Sequence, residues 1–428
     1  MAANIPKRTL NTLMNAMSSG VVPRRGLEYI AVGRKKETQT FVSDLEDTSE
    51  GGGAFRFISG RFGNGKSFMT QMVRNYAMDK GFVVMDADLA INRRLTGSKG
   101  EGLNTYRELI KNTAYRARPE GGAIEPILQE WAESIAEESG VERSLIDREK
   151  IGSSVRSKMS SMSSLQFSHD FLKVVSDYVY DYLRDAEDSP SARWLKGEYE
   201  LKSAVRKEVG INTLIDDSNW YEIVKLWAEM FSILGDKGLV VFLDEAVVLY
   251  KLQSKISRTN NYERLLTIFN DIMQGKSSHI SMYVCGTPEF IQDPNRGLYS
   301  YEALKSRLVS GRFENGYDNY LGPVINLRPL SNEEIFVLLR TIKELHEQRY
   351  GYASEIDDAK LKTYLETVLN NSISQALVTP REITRDLISL LDTLHQNPQV
   401  RFSQLVQGRS VTADHNPDED DIIEDLDI

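Results

Sequence analysis

Cysteine is almost absent from this chain of 428 residues: Cys285 stands alone. That excludes an internal disulfide framework and any zinc site built on several thiolates. Histidine is nearly as scarce, and His169, His279, His346, His395 and His415 are scattered without the spacing of metal ligands. No run approaches the roughly 18 uninterrupted apolar residues that a membrane helix needs. The opening stretch, MAANIPKRTLNTLMNAMSSG, has no apolar segment of the secretory kind. The expectation is a soluble, cytoplasmic protein with no membrane partner. Repeats of fixed period and long low-complexity segments are missing too. What is present is globular: 41% apolar and 27% charged residues, with a mean hydropathy of −0.37. The length suits about two to three domains.

The net charge of −10 is unevenly spread. Residues 1–36 carry Lys7, Arg8, Arg24, Arg25, Arg34, Lys35 and Lys36 against Glu28, a balance of +6. The last 18 residues carry eight Asp/Glu and no Lys/Arg, leaving −8 on the body between. Bulk charge therefore gives no support for nucleic-acid binding and does not exclude a local basic face.

Periodicity predicts a short helix around Thr9–Met17 and a polar, glycine-rich loop over Asp44–Gly53. The apolar run Phe55–Ser59 has the look of a buried parallel strand. A glycine-rich turn follows, then an amphipathic helix from about Lys66 to Lys80 and a second strand over Phe82–Asp86. From about Gly97 to Leu234 the pattern is helical, with polar breaks that include Ser153–Ser164. Further strands are expected at Leu239–Leu243, Ile280–Cys285 and Pro323–Leu327. Helices are expected over Asn332–Tyr350, Asp357–Leu369 and Pro380–His395, and an acidic, disordered tail after about Val411. Strands separated by helices, then helices alone, imply an α/β sheet domain followed by an all-helical one. The predicted division is 1–25, a helical basic segment; 26–328, the sheet domain, with a helical insertion at about 100–230; 329–410, the helical domain; and 411–428, the tail.

Gly60-Arg61-Phe62-Gly63-Asn64-Gly65-Lys66-Ser67, with Phe68 next, fits the Walker A pattern G-x-x-x-x-G-K-[ST] between a strand and a helix. Its glycines let backbone N–H groups turn toward phosphate oxygens. Lys66 would reach the β- and γ-phosphates and the Ser67 hydroxyl would ligate Mg²⁺. The helix that follows adds the positive end of its dipole. Leu239–Leu243 ends in Asp244-Glu245, a Walker B pattern that sets an acidic pair at a strand's carboxyl end. Asp244 would hold the metal with Ser67, and Glu245 would polarise the attacking water. Thr287, after the next strand, serves equally well as a sensor of the γ-phosphate and as a helix N-cap before Pro288. Cys285 is expected to be a small buried hydrophobe.

Phosphate loop, Asp-Glu strand, strand ending in Thr and a helical block, in that order, resemble the AAA+ ATPases of the origin-recognition (replication-initiator) branch. The resemblance implies an AAA+-like P-loop NTPase fold: a parallel sheet flanked by helices, a long helical insertion and a C-terminal helical lid. Val32-Gly33-Arg34-Lys35-Lys36-Glu37 is similar to the segment that packs near the adenine there, which implicates Gly33 and Arg34. Glu302–Leu308 lies where such proteins carry an arginine finger for a neighbour's nucleotide, so the resemblance offers Arg307, with Arg312 as a rival. Thr379-Pro380-Arg381 resembles the second sensor, an arginine acting in cis. In length and motif wording the chain looks most like the ATP-binding proteins of BREX-type phage-defence systems.

The expected activity is Mg²⁺-dependent ATP hydrolysis, coupled to assembly or remodelling of a DNA-associated complex. The alternative is a nucleotide-gated switch or scaffold with slow turnover and no direct work on DNA. A finger in trans implies a homo-oligomer, expected as a ring; other defence-system proteins and DNA are the further candidate partners. One departure from a minimal AAA+ core is the separation of 178 residues between Lys66 and Asp244. The excess contains all four tryptophans, Trp131, Trp194, Trp220 and Trp227, and is either a partner-binding insertion or extra packing on the sheet. Within it, Gly152–Ser164 is expected as a flexible, weakly basic loop. The loop bearing Asn92, Arg93, Arg94 and Lys99 is a solvated loop or a face toward DNA.

Overall fold

The structure, a computed structural model, describes residues 5–140, 143, 147–309, 319–371 and 379–406. The chain divides into two compact units, Lys35–Leu327 and a second made of Met1–Arg34 with Arg328–Ile428. The second brings residues from the two ends of the chain together, an arrangement that the linear order of the expected segments does not contain.

In Lys35–Leu327 five strands form one sheet: β1 Gly53–Ser59, β2 Val83–Asp88, β3 Leu239–Asp244, β4 Ile280–Gly286 and β5 Val324–Asn326. Every pairing is parallel and the order across the sheet is β2-β3-β4-β1-β5. The strands read as unbroken apolar runs because both faces are covered. Phe55, Phe57, Val83, Met85, Val241, Leu243, Met282 and Val284 turn to one apolar cluster. Ile58, Val84, Val240, Phe242, Tyr283 and Cys285 turn to the other. Two helices cover that second face, α2 Lys35–Ser49 with Phe41 and Leu45 and α3 Lys66–Asp79 with Met69, Val73 and Ala77.

The loop expected over Asp44–Gly53 is helical as far as Ser49. Its buried polar residues, Asp44 and Thr48, are paired, while Glu46 and Asp47 face solvent. Asp44 takes a bidentate ion pair from Arg56 of β1 (2.6 and 2.9 Å), and the Thr48 hydroxyl lies 2.6 Å from that of Ser281.

The first face is covered by the region between β2 and β3. It contains α4 Glu101–Lys111, α5 Ile124–Ser139, α6 Arg148–Lys158, α7 Ser168–Leu183, α8 Pro190–Leu195, α9 Lys202–Glu208 and α10 Trp220–Leu234. All four tryptophans are buried in the apolar cluster that holds the sheet's own residues. Trp194 donates its indole N–H to the Thr213 carbonyl (2.7 Å) and Trp220 to that of Leu95 (2.8 Å). The tryptophans thus enlarge the core of this unit. The flexible loop expected over Gly152–Ser164 is not one: α6 runs to Lys158 and a 3₁₀ turn spans Ser160–Ser164. Ile151, Val155, Met159 and Met162 are all buried, an apolar face at helical spacing that the serines around it obscured.

Four helices complete this unit: α11 Val247–Lys251, α12 Lys255–Met273, α13 Pro288–Gln292 and α14 Glu302–Leu308. The other unit holds α1 Lys7–Ser18, α15 Asn332–Tyr350, α16 Asp358–Asn371, α17 Pro380–Gln396 and α18 Phe402–Val406. Both long helices α15 and α17 start with capping boxes, Ser331 with Glu334 and Thr379 with Glu382, the second with Pro380 at its first position. The amphipathic α1 packs on them through Leu10, Leu13, Met14 and Met17. No described helix is long and apolar enough to cross a membrane. The acidic tail lies outside the described residues.

Candidate functional site

In parallel register the strands end together: Ser59 pairs with Gly286 and Asn326, and Asp88 with Asp244. The loops that leave this edge are stitched to one another. Gly60 donates to the Gly286 carbonyl (3.2 Å), Ala246 to Cys285 (2.9 Å), Leu89 to Asp244 (2.9 Å) and Leu327 to Ser59 (2.7 Å). Because β4 lies between β1 and β3, the residue leaving β4, Thr287, emerges between the glycine-rich loop and the acidic pair. The carboxyl edge of an open parallel sheet is where such folds bind ligands.

The glycine-rich loop climbs from β1 into α3 through Gly63 (φ +79°) and Gly65 (φ +87°), left-handed positions that favour glycine. Arg61, Phe62 and Ser67 are exposed, while Gly63, Asn64, Lys66 and Phe68 are half-buried. The Lys66 ammonium donates to the carbonyls of Gly60 (2.7 Å) and Arg61 (3.2 Å). Burial holds its pKa below the ordinary lysine value, against the pull of Asp244, Cys285, Glu245 and Glu289. Asn64 donates from its side-chain amide to the Leu327 carbonyl (2.9 Å), joining the loop to the exit of β5. Gly60 has Leu327 Cβ 3.3 Å from where its own Cβ would stand, so the loop lies close over that exit.

Asp244 is half-buried, and its pKa is pushed up to about 6, first by burial and then by the neighbouring carboxylates Glu245 and Asp88. Its carboxylate accepts the Glu245 N–H (2.8 Å). Glu245 is exposed and holds φ at +55°, a left-handed conformation uncommon for a residue with a side chain. Strain of this kind costs about 1–3 kcal/mol and collects at functional sites.

Asp88 is the residue that the sequence pattern missed. The expected strand stopped at Asp86, whereas β2 runs two residues further and sets Asp88 opposite Asp244. The Asp86-Ala87-Asp88 spacing carried the signal: two carboxylates on one face of a strand end. Partial desolvation, then Asp86 beside it, raises the Asp88 pKa.

Thr287 caps α13, its hydroxyl accepting the Phe290 N–H (3.4 Å). Cys285 is buried, its sulfur 3.3 Å from the Thr70 hydroxyl of α3, and burial drives its thiol pKa well up. It packs as a small hydrophobe under the glycine-rich loop's helix.

Arg307 is exposed on α14, donating to Asn270 of α12 (3.0 Å) and to the Ala303 carbonyl (2.6 Å). Asn270 lies in the last turns of α12, next to Phe269, whose ring packs 5.4 Å from that of Phe55 near the start of β1. Arg307 is therefore held toward the amino edge of the sheet, away from the edge that bears Lys66. Arg312 lies outside the described residues.

Gly33, Arg34 and Arg381 belong to the other unit. Gly33 (φ +72°) meets the Glu334 carboxylate of the α15 capping box, and a Cβ there would stand 2.5 Å from Glu334 Cδ. Arg34 is buried and donates to the Arg328 carbonyl (2.7 Å). Arg381 is exposed in the first turn of α17, its side chain passing beside Gly20.

The edge fits a triphosphate. It offers left-handed glycines, a helix of 14 residues opening on the loop, a half-buried ammonium and carboxylates across one strand. Among the described residues no three His, Cys, Asp or Glu side chains form a metal site by themselves. Mg²⁺ characteristically binds one or two protein groups together with phosphate oxygens, and Ser67 and Asp244 suit that pattern.

A parallel five-stranded α/β sheet, flanked by helices and with this loop at the carboxyl end of its first strand, is compatible with a P-loop nucleotide-binding fold. The chain belongs to the family of the BREX system ATP-binding protein BrxC/D, whose model matches residues 5–410. Among curated proteins no match is found. Membership places the chain in an ATP-binding family of a phage-defence system.

Proposed function

We propose that the chain is a Mg²⁺-dependent ATP hydrolase that couples ATP binding and turnover to assembly or remodelling of a DNA-associated complex in phage defence. The observation that carries the chemistry is the convergence of Lys66, Asp244 and Glu245 at one sheet edge, where both carboxylates act on the lysine's charge. The loop from Gly60 to Ser67 and the start of α3 bind phosphates through backbone N–H groups. Lys66, turned to its own loop's carbonyls, moves to phosphate oxygens. Ser67 and ionised Asp244 would hold Mg²⁺, which would supply neutralisation of the phosphates' charge. Glu245, aimed by its left-handed backbone, orients the water and takes its proton. Thr287 senses the γ-phosphate from the strand between, and Gly33 and Arg34 serve the adenine end. Arg381 acts in cis. Arg307, held toward the far edge of its own sheet, acts on a neighbouring subunit, which requires a homo-oligomer with head-to-tail contacts.

Glu245→Gln tests this. It keeps the side chain's shape and removes the base, so ATP binding persists while turnover falls by about 100-fold or more. Hydrolysis at the parental rate would show that Glu245 is not the base. An electrophoretic shift over a salt series separates work on DNA, which has a steep salt slope, from ATP-gated assembly alone.

A further inference from the structure

Glu245 and Thr287 leave adjacent strands, and each is followed closely by a very short helix. α11 and α13 have five residues apiece, too few to stand by themselves in water. Their near ends are tied where the strands stop, by the Ala246 N–H on the Cys285 carbonyl (2.9 Å). Little apolar packing holds the rest of α11, since Leu249 is its single buried residue.

The far ends are tied by polar groups that the catalytic scheme leaves unused. Tyr250 of α11 donates its hydroxyl to Asp293 (2.9 Å), the residue that closes α13. The other Asp293 oxygen accepts the N–H groups of Asn295 (2.7 Å) and Arg296 (3.1 Å). The Arg296 side chain then donates to the carbonyls of Leu252 (3.2 Å) and Tyr250 (3.4 Å). Arg258, a buried residue of α12, reaches the same Leu252 carbonyl (2.6 Å) and that of Gln253 (3.0 Å). Tyr262, also of α12, donates to the Arg296 carbonyl (2.7 Å). Two guanidiniums thus satisfy carbonyls that a helix end ordinarily leaves without partners. At the other end of α11, Glu245 holds a left-handed backbone, which persists only where its surroundings over-determine it. The Glu245 carbonyl accepts the Val248 N–H (3.0 Å), so a shift of α11 reaches it within one turn.

We propose that Arg296, Arg258 and Asp293 are positioning residues: they clamp α11 to α13 and so fix Glu245 and Thr287 relative to each other at the opposite ends of the two helices. A helix of five residues is about 7.5 Å long. A tilt of about 8° released at the clamp moves the other end by about 1 Å, a displacement that can cost about 100-fold in rate. The proposal rests on the reading of Glu245 as the base.

The test compares the full chain with Arg296→Met, Arg296→Lys and Tyr250→Phe. Methionine keeps a stem near the Tyr250 ring and cannot donate. Turnover, affinity for a fluorescent ATP analogue and amide hydrogen exchange without nucleotide are measured for each, alone and combined with Glu245→Gln. Arg296→Met should lower kcat by about 30-fold and leave nucleotide affinity within about twofold. Arg296→Lys, which still donates to a carbonyl, should recover most of that loss. Tyr250→Phe, which loses one hydrogen bond, should lower kcat by about fivefold. The Val248 and Leu249 amides, bonded to the carbonyls of Glu245 and Ala246 (3.0 Å each), should exchange about tenfold faster in Arg296→Met. With Glu245→Gln already present, Arg296→Met should cost no further turnover. The clamp is overturned if Arg296→Met and Tyr250→Phe keep the parental kcat and exchange, if kcat and affinity fall together, or if the loss persists undiminished beside Glu245→Gln. Should Arg296→Met fail to fold, Tyr250→Phe decides by the same readings. Parental turnover in Glu245→Gln alone would overturn the base reading itself, and with it the route drawn from Arg296.

Discussion

Asp244 provides a prediction whose size and sign both follow from its surroundings. Its pKa is pushed up from about 4, the usual aspartate value, to about 6, chiefly by burial, with Glu245 and Asp88 adding to it. A raised carboxyl pKa means that the folded state holds this proton more tightly than the unfolded chain does. The penalty for ionising Asp244 is absent below about pH 4, grows between pH 4 and 6, and is complete above that. An interval of about two pH units corresponds to about 3 kcal/mol. Asp244→Asn removes the charge, and its amide oxygen can still accept the Glu245 N–H. At pH 7.5 and without nucleotide the variant should therefore be more stable than its parent, by up to about 3 kcal/mol. For a unit the size of Lys35–Leu327 that is a rise in melting temperature of about 5 °C. The assay is a thermal melt of both proteins at half-unit steps from pH 4 to 8, in buffers free of divalent metal. The two should converge at the acid end, and Mg²⁺ with nucleotide should raise the parent's melting temperature but not the variant's. A variant less stable than the parent at pH 7.5, or an offset that stays constant from pH 4 to 8, would refute the reasoning.

Other outcomes are expected in the second unit. Gly33→Ala puts a Cβ into the Glu334 carboxylate at a left-handed backbone position, and should cost about 1–3 kcal/mol, read as a lower denaturant midpoint; an unchanged midpoint would contradict the packing. His346 is fully buried on α15 between Asp392 (3.0 Å) and the Tyr352 hydroxyl (2.9 Å), with Tyr350 and His395 packed on its ring. Burial, assisted by His395 and Arg349 and opposed by Asp392, lowers its pKa. The fold then favours neutral imidazole, so this contribution to stability is present above the usual histidine value and is lost as pH falls through the folded one. Denaturation at pH 7.5 and 5 should show a smaller loss in His346→Gln than in the parent, and equal losses would exclude His346 as the titrating group.

Much of the site was legible in the order of residues because its parts are local. The left-handed turns at Gly63 and Gly65, the helix that begins at Lys66 and the acidic pair closing an apolar strand each depend on a few consecutive residues. The capping boxes at Ser331 and Thr379 are equally local, and the helices they open begin where expected. Propensity misled where long-range partners override it. Asp44–Ser49 is polar enough to predict a loop, yet Arg56 and Ser281 supply the bonds that let it stay helical. Gly152–Ser164 is serine-rich, yet its few apolar side chains find a core.

By itself, then, the sequence determined most of the elements and much of the chemistry at their ends, since short-range sterics, capping and apolar spacing act within a turn or a strand. It also carried the family, through motifs with a fixed order along the chain. Which of those ends meet was decided by the tertiary structure. Asp88 faces Asp244 only because β2 and β3 pair in one register across about 150 intervening residues. Arg307 stands toward the edge away from Lys66 because α14 packs beside the end of α12, where it meets Asn270. Gly33 and Arg34 join Arg328 and the α15 cap, some 300 positions away. Such meetings require the chain to close long loops, and their free energy comes from burial and register shared by the whole fold. No local pattern encodes that sum.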